Sequence, residues 1–180
     1  YQTVYCYQYW NRNKISPLRG ILYYGGFTEG WAIYVELQSY DYAAAVCEAS
    51  QPESALYYKV CRLDRQLQLG LYSLLDIAIH YDNASLQDVQ KIFDSLGVTN
   101  AQGISDIYTY IAEEPANYLK YYLGYLEIAE LKKQAAIAWC TTTPSTTSCS
   151  DPEFLYRFHS FLLHNGPADF DLLSSIIESR

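Results

Sequence analysis

The chain has 180 residues, half of them apolar, with 20 acidic and 12 basic residues and a formal net charge of −8. That is long enough for one domain with a buried core and too apolar for a disordered chain. The scattered basic residues argue against nucleic acid as a partner, and no apolar run is long enough to span a membrane.

In chain order, "YQTVYCYQYW" reads as helix from its first residue, and "NRNKISPLRG" as a connection in which Pro17 opens a short helical piece that breaks at Gly25-Gly26. A helix is expected from Thr28, as N-cap, to about Glu48. A second runs from about Pro52 to His80, with apolar positions at Leu56, Val60, Leu63, Leu67, Leu71, Leu74 and Leu75. Ser85 followed by Asp88 forms a capping-box signal for a helix ending near Gly97. Further helices are expected from about Ser105 to Ala112, from a first turn containing Pro115 to about Trp139, from an Asp151 cap to a stop at Asn165-Gly166-Pro167, and from about Asp169 to Glu178. The fold class is all-α, an array of about seven to nine helices, with residues 1–180 as a single helical domain.

Tyr1 comes first and the chain contains no Met. The sequence therefore reads as a processed product or a fragment. Its five cysteines include no CxxC, so they form no zinc pattern. Cys140 and Cys149 flank the loop "TTTPSTTS" at a spacing that a bridge could close. Cys6, Cys47 and Cys61 read as small apolar helix residues. The 20 tyrosines are the strongest compositional oddity. They suit a tyrosine-lined core or the walls of a wide cleft.

Three groups carry candidate chemistry. In "GGFTEGWAIYVE", Glu29 and Glu36 stand two turns apart on one helical face, among aromatic and aliphatic residues. Glu29 either complements the helix dipole or ligates a metal, since a carboxylate beside buried aromatics must be paired or bound to a cation. In "DIAIH", Asp76 and His80 are spaced i, i+4, so Asp76 can accept a hydrogen bond from one ring nitrogen and leave the other aimed outward. The competing reading is a helix-end histidine with an acidic neighbour. In "NYLKYYLGYLE", Tyr118, Tyr121, Tyr122 and Tyr125 fall on one stripe, which serves packing or offers a phenol to a developing oxyanion. His159, between Phe158 and Phe161, reads as a hydrogen-bonded structural residue. There is no HExxH, P-loop, GxSxG or GxGxxG.

Taken in order, "GGFTEGWAIYVELQSYDYA", "RLDRQLQLGLYSLLDIAIHYDNASLQDV", "EEPANYLKYYLGYLEIAELK" and "FHSFLLHNGPADFDLL" resemble the bacterial domain-of-unknown-function 885 family, itself similar to the gluzincin zinc metallopeptidases. The resemblance spans essentially the whole chain. It implies the C-terminal half of a helical metallopeptidase whose His-Glu-x-x-x-Gly-His segment precedes Tyr1, with Glu29 as a zinc ligand and Glu36 as a supporting or structural acid. The family's Asp-x-Gly-x-His falls on Asp76 and His80, with Ala78 for glycine. Its Pro-Gly-Gln-x-Leu-x-Tyr falls on "PANYLKY", with Ala116 and Asn117 for Gly and Gln and Tyr121 at the tyrosine. His80 and Tyr121 are then expected to bind substrate or steady an oxyanion, with Tyr118 and Tyr122 on the peptide. The expected cofactor is zinc, held by the intact protein and not by this chain alone. The expected partners are a peptide substrate, the N-terminal half of the same protein and, through an uncovered apolar groove, a second copy. The alternative function is a non-catalytic helical module that binds peptide or glycan.

Overall fold

The computed structural model describes residues 21–140 and 152–179. The expected helix at Tyr1, the Pro17 connection, the Asp151 cap, Cys6 and Cys149 lie outside these residues. Seven helices form among them and no strand. They are α1 (Gly25–Cys47), α2 (Pro52–His80), α3 (Leu86–Ser95), α4 (Ala101–Glu113), α5 (Asn117–Cys140), α6 (Pro152–Asn165) and α7 (Phe170–Glu178).

Local chemistry sets most of these boundaries. Ser85 Oγ accepts from the Asp88 N–H, and the Asp88 carboxylate accepts in return from the Ser85 N–H at 3.1 Å, closing the expected capping box of α3. The same helix ends at Gly97, which takes φ +77° so that its N–H reaches Asp94 O while the Val98 N–H reaches Phe93 O. The Asp169 side chain caps α7 by accepting from the Asp171 and Leu172 N–H groups.

Three boundaries depart from expectation. Helix α1 begins at Gly25 and not at Thr28, whose N–H already donates to Tyr24 O at 3.0 Å. Helix α4 begins at Ala101, four residues early, because the Asn100 side chain caps it by accepting from the Gly103 N–H at 3.1 Å. Helix α5 begins after Pro115 and not on it. Ala116 sits at φ +62°, a left-handed conformation that no helical residue shares.

The described residues fall into two compact units, Val35–Tyr122 and the described residues on either side of it. The borders lie inside α1 and α5. In the flanking unit Phe27, Ile128, Phe158, Leu162, Leu173 and Ile177 make the buried centre, with Phe154 stacked on Phe158. Here α1 crosses α5 at backbone contact. A Cβ added at Gly30 would lie 2.6 Å from Gly124 Cα and closer still to its carbonyl carbon, and one at Gly124 would run into the Gly26 carbonyl. Gly26 and Gly30 therefore belong inside the helix, as the surface that lets it approach, and do not break it.

In the Val35–Tyr122 unit, Leu75, Val89, Phe93, Ile104 and Ile111 are buried together where α2, α3 and α4 meet. Of the apolar positions read on α2, Leu75 is buried and Leu71 partly so. Leu56, Val60, Leu63, Leu67 and Leu74 are exposed. The helix instead turns Ala55, Leu69, Ser73, Leu75, Asp76 and Ile79 inward. Cys47 and Cys61 are free thiols, partly buried, and Cys140 is disulfide-bonded. No helix of the described residues is long and apolar enough to cross a membrane.

Candidate functional site

The segments "DIAIH" and "PANYLKY" meet in the Val35–Tyr122 unit. Asp76 is 1 % exposed, and its Oδ1 accepts from the Ala116 N–H at 3.0 Å. That bond ties the last turns of α2 to the residue that begins α5. It also holds Ala116 in the left-handed region, where an L side chain crowds its own backbone. The resemblance places Ala116 at a glycine, and the observed φ is a conformation that glycine adopts freely. The other oxygen, Asp76 Oδ2, has no hydrogen-bond partner among the described residues.

His80 does not use Asp76 as expected. Its Nε2 lies 3.0 Å from Ile111 O and 3.7 Å from Asp76 Oδ1, so the hydrogen bond goes to α4 and the carboxylate stays a near neighbour. A carbonyl can only accept, so Nε2 carries a proton and donates it to Ile111 O. The spacing of Asp76 and His80 was correct for proximity. It could not show that a carbonyl from another helix would compete better for the ring.

A pocket of about 240 Å³ opens beside this junction, lined by Arg65, Leu69, Tyr110, Asn117, Tyr118 and Tyr121. Tyr118 packs edge-on against Tyr72 at 4.8 Å and lies tilted to Tyr110 at 6.0 Å. Burial, together with the neighbouring phenols of Tyr110 and Tyr72, pushes the Tyr118 hydroxyl up to about 12. It therefore stays protonated near neutral pH and acts as a hydrogen-bond donor, not as a base. Ser73 Oγ donates to Tyr118 O at 3.2 Å, fixing the first turn of α5 against α2.

Arg65 gives the pocket its cation. Its Nε donates to both oxygens of Glu36, at 3.1 and 3.3 Å, and Nη1 donates to Gln68 Oε1 at 3.3 Å. Glu36 is thus the acid that orients Arg65, a structural role. The guanidinium is held rigidly by these bonds, and a planar donor so fixed suits a carbonyl or carboxylate. The expected tyrosine stripe divides. Tyr118 and Tyr121 line the pocket, Tyr122 lies over Gly70, and Tyr125 packs into the core of the flanking unit. The reading from sequence assigned no site role to Arg65, Tyr110 or Asn117, which come from three helices. The available signals were the "RLDR" stretch before "DIAIH" and the place of Asn117 in "PANYLKY".

Glu29 belongs to the flanking unit, on the second turn of α1, partly buried and without a hydrogen bond or ion pair to any described residue. Further along the same helix Tyr34 and His159 form a buried pair, with Tyr34 Oη 2.9 Å from His159 Nε2 and Trp31 edge-on to the imidazole at 5.5 Å. Burial raises the Tyr34 hydroxyl to about 12, and burial and then Lys132 lower His159. Both shifts make Tyr34 the donor and a neutral His159 the acceptor, so His159 is the hydrogen-bonded residue the sequence suggested. Among the described residues no group of three or more His, Cys, Asp or Glu side chains could hold a metal ion. A zinc site, which needs three protein ligands, does not fit the described residues by themselves.

Residues 6–177 match the family described as "Bacterial protein of unknown function (DUF885)". No curated protein and no solved structure matches the chain. The match covers nearly its whole length, and the chain belongs to that family.

Proposed function

We propose that the chain is the C-terminal part of a zinc-dependent metallopeptidase and that the Arg65–tyrosine pocket receives part of the peptide. The observation that carries this reading is the bond from the Ala116 N–H to the buried Asp76. It joins the two segments that the family resemblance pairs with substrate handling, and it sets Asn117, Tyr118 and Tyr121 along one wall of a pocket. In that pocket Tyr118 offers a proton to a peptide carbonyl, and Arg65, steadied by Glu36, offers a charged donor.

Zinc, where it is held, supplies an activated water. Glu29 is the candidate ligand from this chain, since a partly buried carboxylate with no partner among the described residues is stabilised by a cation. The described residues carry no step through the metal. The test is zinc content and peptide hydrolysis of the full-length protein with Glu29→Gln. Loss of zinc and of cleavage is expected, and unchanged zinc stoichiometry overturns the reading.

A second reading is a helical module that binds peptide or glycan without cleaving it. It is favoured by the fact that the whole pocket lies within Val35–Tyr122 and needs no metal ligand. On that reading, metal-free protein binds peptides or oligosaccharides as well as Glu29→Gln does, and Tyr121→Phe weakens binding in both.

A further inference from the structure

On α2 the exposed apolar residues are Leu56, Tyr57, Val60, Leu63, Leu67, Leu74 and Ile77, with Tyr81 just past the helix end; all but Tyr57 fall on one stripe, and each is between 40 % and 82 % exposed. With Gly70 included, the stripe's separations alternate between four and three residues along the whole helix. Seven such steps place the stripe at the a and d positions of a heptad, the positions through which one helix packs along a second. At Gly70 the Tyr122 ring lies against the stripe, so its uninterrupted part is Leu56, Val60, Leu63 and Leu67.

We propose that this stripe is a self-association surface that takes the α2 stripe of a second copy of the chain, parallel and in register. The order of residues favours that partner. Val60 falls at the position where two-stranded parallel coils prefer a β-branched residue, and Leu56 and Leu63 fall where they prefer leucine, three of the four residues of the uninterrupted part; Leu67 departs from the rule. The flanks agree. Lys59 and Asp64 are both exposed and border the stripe on opposite sides. In a parallel in-register pair Lys59 of each copy faces Asp64 of the other, twice by symmetry, and no like charges meet. Lys59 meanwhile holds Glu48 at 3.0 Å, a solvent-exposed pair that exchanges at little cost. The four side chains of the uninterrupted part offer less than the about 800 Å² that a standard interface takes from each partner, which fits a weak dimer set by concentration.

The test is sedimentation equilibrium of the 180-residue chain over a wide range of concentration. A reversible dimer is expected. Leu63→Glu with Leu67→Glu should leave a monomer at every concentration with an unchanged circular dichroism spectrum. Asp64→Lys should weaken the dimer about tenfold, and adding Lys59→Glu to it should restore most of the loss. A wild-type chain that stays monomeric, its stripe covered by some other polypeptide, overturns the proposal. So does a dimer that survives the two glutamates, or one that the charge exchange fails to restore.

Discussion

Ala116 shows how one residue can record a constraint that its own identity does not satisfy. An alanine at φ +62° pays about 1–2 kcal/mol that a glycine would not, and the Asp76 carboxylate holds it there. Ala116→Gly should therefore raise stability by about 1 kcal/mol in urea denaturation, whereas Asp76→Ala should lower it by about 2 kcal/mol. His159 supplies a second prediction. The unfolded chain takes up this proton near 6.5 and the folded chain only at lower pH, so below 6.5 the unfolded state binds more protons. Stability is fully present above that value and falls as the pH drops through the window beneath it. Urea midpoints measured from pH 7 to pH 5.5 should show this fall, and His159→Gln should flatten it. The sequence named Asp76, His80 and Tyr121, and the structure brings their segments together. It could not reveal that the His80 proton goes to Ile111 O, because that carbonyl lies 31 residues away.

Among the elements, those with local signals were the legible ones. Ser85 and Asp88 are three residues apart and cap α3 as read, so Ser85→Ala should cost about 1 kcal/mol. The ends of α2 were legible too, but not its buried face. Leucines at helical spacing mark an apolar side, and nothing in the spacing says whether this chain covers it. Thr28 was mistaken for a cap because Gly25 and Gly26 resemble a break, when they serve the crossing of α1 and α5. Gly30→Ala and Gly124→Ala should each cost roughly 2–3 kcal/mol, since overpacking there meets backbone that cannot yield as a side chain does. Thermal melts of either variant at or above the wild-type midpoint would contradict the close crossing.

At the scale of the molecule the all-α class was readable from periodicity alone, and the pocket was not, because Arg65, Tyr110 and Asn117 come from separate helices. The two buried clusters share no residue, so changes within them should be independent. Ile111→Val and Ile128→Val should each cost about 1 kcal/mol, and the double variant should cost their sum to within about 0.5 kcal/mol. A larger discrepancy would mean that the clusters are energetically coupled. The three-glycine crossing has a consequence for inheritance. Every amino acid that a single base change can make from a glycine codon carries a Cβ, so no one-step mutation at Gly124 escapes the Gly26 carbonyl. A lineage cannot drift away from this crossing by small steps. It keeps glycine there, or it loses stability in one event, and in a library of all single substitutions every clone changed at that codon should melt below the parent.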